Sequence, residues 1–262
     1  MLTGMSTASE FMSRKLVTVS SQSNVSKAVK LMVDYNIGGV IVTDDEGPVG
    51  IFTERDLLSN VLNAGKSLEE PILMQVMTPS PNHLSSKATL IETAKMMTQK
   101  KGRLVVFDDR PLGIITHPLG IITATDIIRE IQKEGRQFDF KESSSRIVYE
   151  APPRTRVADV VRLMAEKRIG SVIVSEGQFP RGIFTERDLL RSVLTTEFRM
   201  DGYVENFATH HLITAGEGIT GYEAAYTMRS RRIKRLPLTR ENGEICGIVT
   251  ARDLVEAFAN SV

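Results

Sequence analysis

The chain has 262 residues, of which 33 are basic and 32 acidic, so its formal net charge of +1 excludes a surface coated in one sign of charge. With 41% apolar and 25% charged residues it reads as a globular protein long enough for a sizeable core in one large or two ordinary domains. Its one cysteine, Cys246, excludes an internal disulfide and a thiolate metal cage. A lone thiol suits a reducing compartment, and a cytoplasmic location is expected. No apolar run is long enough to span a membrane, and the first residues lack the basic start and apolar run of a secretory signal. With no tryptophan, the sequence offers an aliphatic interior and no base-stacking platform.

Taken in chain order, residues 1–8 read as a frayed tail. Val25, Ala28, Val29 and Met32 then fall at i, i+3, i+4, i+7 and lay one apolar stripe along a helix. The run Val40-Ile41-Val42 reads as a buried strand, and Asp44-Asp45-Glu46-Gly47-Pro48 as a hairpin turn. Gly50-Ile51-Phe52-Thr53-Glu54-Arg55-Asp56-Leu57-Leu58 is a strand that runs into a second helix. The series then recurs. Leu90, Ala94 and Met97 precede Leu104-Val105-Val106, and Val157, Val160, Val161 and Met164 precede Val172-Ile173-Val174. Tyr222, Ala225 and Tyr226, a poorer stripe, precede Leu236-Pro237-Leu238. Four β-α-β-β-α units result, an α+β fold with boundaries expected at 9–65, 74–134, 141–197 and 204–262. One such unit cannot cover both faces of its sheet, so the four are expected to pack as two paired modules, with the polar stretch 134–145 as the break.

The strand-to-helix corner is the strongest signal. Gly50–Leu58 returns letter for letter as Gly182–Leu190, and more loosely as Gly120–Ile128 and Gly247–Val255. The shared pattern is Gly, two apolar residues, Thr, two variable residues, Asp and two apolar residues. A threonine three residues before an acid at a helix start is a capping box, and one copy would need no other purpose. Four copies that all use Asp, three with Arg before it, suggest more. Free N–H groups, a hydroxyl and a guanidinium suit a phosphate, and a carboxylate one turn further in suits a ribose diol.

This unit order and the repeated Gly-h-h-Thr-x-x-Asp element resemble the cystathionine-β-synthase (CBS) domain, and Met77-Thr78-Pro79-Ser80-Pro81 is similar to that family's usual opening. The resemblance spans about residues 9–262 as four tandem CBS domains packed as two CBS pairs, as in stand-alone CBS-pair regulators and the γ subunit of AMP-activated protein kinase. It implies a non-catalytic regulatory sensor for AMP, ADP or ATP, bound in clefts between domains, with no obligatory cofactor and no metal. It implies that Asp56, Asp126, Asp188 and Asp253 hold ribose and that Thr53, Thr123, Thr185 and Thr250 reach phosphate. Thr125 matches the hydroxyl residue found before the Asp in the kinase subunit, while Arg55, Arg187 and Arg252 depart from it and would serve the same anion. The implied partners are an adenosine-containing small molecule, a separately encoded regulated protein and, in one arrangement, a second copy of the chain. The Met-Thr-Pro opening is missing from the third and fourth units, where Ser145-Arg146-Ile147-Val148 and Ala208-Thr209-His210-His211 stand.

The residues leave two alternatives open. One is an interaction scaffold, binding nucleic acid through Met228–Arg235, although a single basic run on a neutral chain without interleaved aromatics disfavours nucleic acid. The other is a sensor of S-adenosylmethionine, which the Thr-x-x-Asp residues do not distinguish from AMP. Within the basic run, Arg235 is the phosphate candidate because it enters the next strand. Adjacent His210 and His211 point to opposite faces of a strand and chelate poorly. Neither nucleophile-elbow, P-loop nor zinc-protease motifs occur. Finally, Pro111–Thr116 is repeated as Pro118–Thr123, and only Thr123 has an Asp three residues on. The surplus copy is expected to protrude near Pro111–His117 and to disturb the second corner.

Overall fold

The computed structural model describes residues 6–100, 102–108, 117–141, 145, 147–177, 179–195 and 198–261. The surplus copy 111–116 lies outside them. The second copy does become the strand Gly120–Ile122, antiparallel to Leu104–Phe107.

Each repeat folds for the same local reasons. A short strand pairs parallel with the next one, as Thr18–Ser20 does with Gly39–Asp44, and a parallel pair needs a crossover. The helix Val25–Asp34 supplies it, capped by Asn24, whose Oδ1 accepts from the Lys27 N–H at 3.1 Å. Val25, Ala28, Val29 and Met32 are fully buried, and Val157, Val160, Val161 and Met164 of the third repeat are at most 1% exposed. Burial of such side chains contributes roughly 1.5–3 kcal/mol each. The second strand then turns back antiparallel, as Gly47–Thr53 does along Gly39–Asp44.

Two compact units result, each holding two repeats, and they are alternate ones. Val17–Ser80 joins Tyr149–Leu212, and Met1–Leu16 and Pro81–Val148 join Ile213–Val262. In the first, the helices Val25–Asp34 and Glu54–Asp56 of repeat one both pack on Glu186–Ser192 of repeat three. In the second, Leu90–Lys100 and Ala124–Glu134 pack on Ala251–Asn260.

Consecutive repeats are tied in another way, by their lead-in segments. Thr78–Pro79, which opens repeat two, pairs with Gly50 and Ile51 of repeat one. Thr209–His210, which opens repeat four, pairs with Gly182 and Ile183 of repeat three. In the other unit Ser13 bridges Ile121 and Ser145 bridges Ile248. This exchange explains the glycine that opens the motif. A Cβ on Gly182 would sit 2.5 Å from the Thr209 carbonyl oxygen, and one on Gly50 2.7 Å from that of Thr78. The lead-in backbone lies where a side chain would be.

Three expectations are corrected. Residues 6–8 are not a frayed tail: Ala8 is fully buried, Thr7 bridges Thr89, and the Ser6 hydroxyl donates to Glu130 Oε1 at 2.8 Å. The stretch 134–145 is not a bare polar break, because Phe138 and Phe140 are buried in the core of the second unit. Phe138 packs on Gly221, where a Cβ would come within 2.5 Å of its ring. The stripe of the fourth repeat is Gly221, Ala224, Ala225 and Met228, which leaves Tyr226 exposed and Tyr222 off the buried face.

Candidate functional site

All four threonines sit at a helix start in extended backbone, with φ from −110° to −129°. Their N–H groups donate to the aspartate three residues on. The distances to Oδ2 are 2.8 Å for Thr53–Asp56, 2.9 Å for Thr123–Asp126, 2.9 Å for Thr185–Asp188 and 2.7 Å for Thr250–Asp253. The capping box expected for one copy is present in all four. Such a cap contributes about 0.5–2 kcal/mol.

The second carboxylate oxygen separates the corners. Asp56 Oδ1 accepts from the Thr78 hydroxyl at 2.9 Å and from Asn60 Nδ2 at 3.3 Å. Asp188 Oδ1 accepts from the Thr209 hydroxyl at 2.8 Å. Both hydroxyl donors, Thr78 and Thr209, are threonines of the exchanged lead-in strands. Asp126 Oδ1 lies 3.1 Å from Arg129 Nη2, which also donates to the Phe11 carbonyl. No hydrogen bond reaches Asp253 Oδ1 among the described residues. Burial pushes the Asp253 carboxyl above its usual value, against the hydrogen bonds from Thr250 that lower it.

The arginines divide in the same way. Arg55 Nε meets Glu186 Oε1 at 2.6 Å, and Arg187 Nε meets Glu54 Oε1 at 2.6 Å. Each motif's Glu thus holds the other motif's Arg, a reciprocal pair across repeats one and three. Arg187 Nη1 also donates to the Ile37 carbonyl and to Asn36 Oδ1, and Arg191 donates to the same Asn36 oxygen. In the other unit Ala124–Thr125 and Ala251–Arg252 occupy these positions, and both Thr125 and Arg252 are exposed. Arg235, half-buried, pairs across the strands with Thr250 and so stands beside the fourth corner.

Sequence reasoning missed Glu54, Glu186, Thr209 and Asn60. The signal for the glutamates was present: a Glu-Arg dipeptide repeated letter for letter is complementary to its own copy. Thr209 keeps the Thr of the Met-Thr-Pro opening although the Met and Pro around it are gone. Chemically, each corner sets a hydroxyl and the N–H groups of a helix start beside a carboxylate, an arrangement able to take up a ligand that carries both an anion and hydroxyls.

The CBS domain family matches residues 8–63, 73–117, 144–195 and 204–260. An uncharacterized 33.4 kDa protein in a ribosomal RNA operon of Thermofilum pendens is 29% identical over 198 residues, 70% of this chain and 63% of that protein. Inosine-5'-monophosphate dehydrogenase of Aquifex aeolicus is 34% identical over 169 residues, 63% of this chain and 33% of the enzyme. The chain therefore spans less than two thirds of the length of either relative. Protein MJ1225 from Methanocaldococcus jannaschii shares the fold, with a TM-score of 0.84 at 21% identity over 97% of this chain and 100% of that one. CBS domains are regulatory, ligand-sensing modules. With four matched stretches across a four-fold repeated corner, the chain belongs to the CBS domain family and carries four such domains.

Proposed function

We propose that the chain is a non-catalytic regulatory sensor that takes an adenosine nucleotide, AMP, ADP or ATP, at its Thr-x-x-Asp corners and alters the behaviour of a separate partner protein. The observation that carries this reading is the Asp253 carboxylate, the one motif aspartate that is only half-buried, held by Thr250 on one oxygen with no donor on the other among the described residues. A partly exposed carboxylate oxygen is open to a ligand, and a ribose diol supplies donors that suit it. Thr250, Arg252 and the cross-strand Arg235 are then the groups for phosphate.

The remaining corners rank by what already fills them. Among the described residues Asp188 and Asp126 each have one partner on Oδ1, with Thr185 or Thr123 and Thr125 beside them. Asp56 has two partners there and is the last expected to hold ribose. Arg55 and Arg187 serve a phosphate only by leaving their glutamates, so ligand at Thr53 or Thr185 would loosen repeats one and three. That coupling is the means by which occupancy changes the protein's behaviour.

Calorimetric titration of the full chain with AMP, ADP, ATP and S-adenosylmethionine tests the reading. Asp253→Ala is expected to lower adenylate affinity by about tenfold or more, the worth of a charged hydrogen bond. Asp56→Ala is expected to lower the melting temperature through the lost cap while affinity stays within about twofold. No saturable heat with any adenylate, or unchanged affinity in Asp253→Ala, overturns it. Saturation by S-adenosylmethionine alone would move the ligand class to thioethers.

A further inference from the structure

Beyond the corners, a recess of about 610 Å³ lies on the crossover helix Gly221–Arg231 of the fourth repeat, walled by Gly216, Gly218, Ile219, Tyr222, Glu223 and Tyr226. Aligning the four crossover helices on Met32, Met97, Met164 and Met228 shows what is peculiar to it. At the position of Tyr226 the other repeats carry Lys30, Lys95 and Arg162, all exposed. At the position of Tyr222 they carry Ser26, Ile91 and Ala158. The fold therefore builds this helix three times with a solvated base where the fourth copy has a tyrosine that is 61% exposed. Packing does not require the aromatic pair, since the buried face is Gly221, Ala224, Ala225 and Met228.

The two tyrosines stand at i and i+4, so their rings share one helix face. Glu223 lies between them in sequence. Thr220 donates its N–H and its hydroxyl to Glu223 Oε2 at 2.9 and 2.8 Å, and these bonds hold the carboxyl below its usual range. The group is anionic at neutral pH, and Oε1 has no donor among the described residues. A Cβ at Gly216 or Gly218 would meet nothing within 4 Å, so glycine there keeps a wall low rather than relieving a clash. The nearest base along the helix, Arg229, donates to Gln132 Oε1.

We infer that this recess is a docking site for an arginine side chain presented by a partner protein, its guanidinium stacked on Tyr222 and Tyr226 and paired with Glu223. Aromatic faces and a carboxylate together match a planar cation, and a guanidinium fits both better than an ammonium does. The inference is independent of what the Thr-x-x-Asp corners bind.

Fluorescence anisotropy of the full chain with a labelled, end-blocked Gly-Arg-Gly-Arg-Gly peptide tests it, with lysine and glutamate peptides as counterparts. The arginine peptide is expected to bind saturably and more tightly than the lysine peptide. Tyr226→Lys, which installs the base of the first two repeats, is expected to weaken binding about tenfold or more. Glu223→Gln retains a capping residue and loses the charge, and is expected to weaken binding severalfold. Lys30→Ala is expected to change nothing. Should Tyr226→Lys fail to give a normal melting curve, Tyr222→Ser takes its place. No saturable binding, equal binding of the lysine or glutamate peptide, or unchanged affinity in a folded tyrosine variant overturns the proposal.

Discussion

The two compact units use one architecture and close it with different chemistry. Where repeats one and three meet, identical corners face one another, and each Glu takes the other's Arg at 2.6 Å. Where repeats two and four meet, alanine replaces both glutamates, and helices faced with Ala94, Met97, Leu254, Val255 and Phe258 pack through apolar contact, beside the Arg229–Gln132 hydrogen bond. Apolar packing is non-directional and holds no charge for which an anion could compete. A reciprocal ion pair is directional and open to competition by any anion that suits a guanidinium. One pair of repeats is thus closed largely by apolar packing and the other by reciprocal ion pairs.

The largest effect expected in breaking this comparison comes from Gly182→Ala. Its Cβ would press on the backbone carbonyl of Thr209, which cannot swing aside, and overpacking of this kind costs about 1–3 kcal/mol. A thermal melt should fall by several degrees, and an unchanged melt would show that the lead-in strand is loosely held. Next is Glu54→Ala. Glu54 is 8% exposed and Arg187 is the less exposed of the two bridging arginines, so the loss is expected to be about 2 kcal/mol after allowance for partial solvation. Thr125→Ala, at the corresponding turn of the other unit, should cost no more than about 0.5 kcal/mol. Equal losses at the two sites would erase the distinction between the units.

A smaller effect concerns Asp253 and pH. Its folded carboxyl titrates above the ordinary 3.8, so just above that pH the folded state holds more protons than the unfolded one. Stability from this group therefore falls as pH rises through the window and stays reduced at neutral pH. Asp253→Asn removes the charge and keeps an acceptor for the Thr250 N–H. Its melting temperature relative to the parent is expected to improve from pH 4 to pH 7, and a constant difference would show that the burial is inconsequential.

Much of this was legible in the residues, and the gaps have physical reasons. The stripes of repeats one and three could be read because valine and methionine mark a buried face unambiguously. The fourth stripe could not, because apart from Met228 its buried residues are Gly221, Ala224 and Ala225, while Tyr226 faces out. Phe138 and Phe140 were masked by the polar average around them. The order of repeats could be read, but their grouping could not, since complementarity between two identical copies looks like mere repetition. Even identical residues diverge: the motif leads into the π-helical turn Leu57–Leu62 in repeat one and an α-helix in repeat three. The residue four past the aspartate differs, Asn60 reaching the Val76 carbonyl where Ser192 bonds back to that of Asp188.

The handover of lead-in strands sets a rule for how such a chain can lengthen. Each repeat lends its opening segment to its consecutive neighbour and borrows that neighbour's in return. Inserting one further copy would leave a sheet edge unserved and a segment without a host. Growth by whole couples avoids both faults, and the nine shared letters at 50–58 and 182–190 stand where a doubled two-repeat ancestor would have left them.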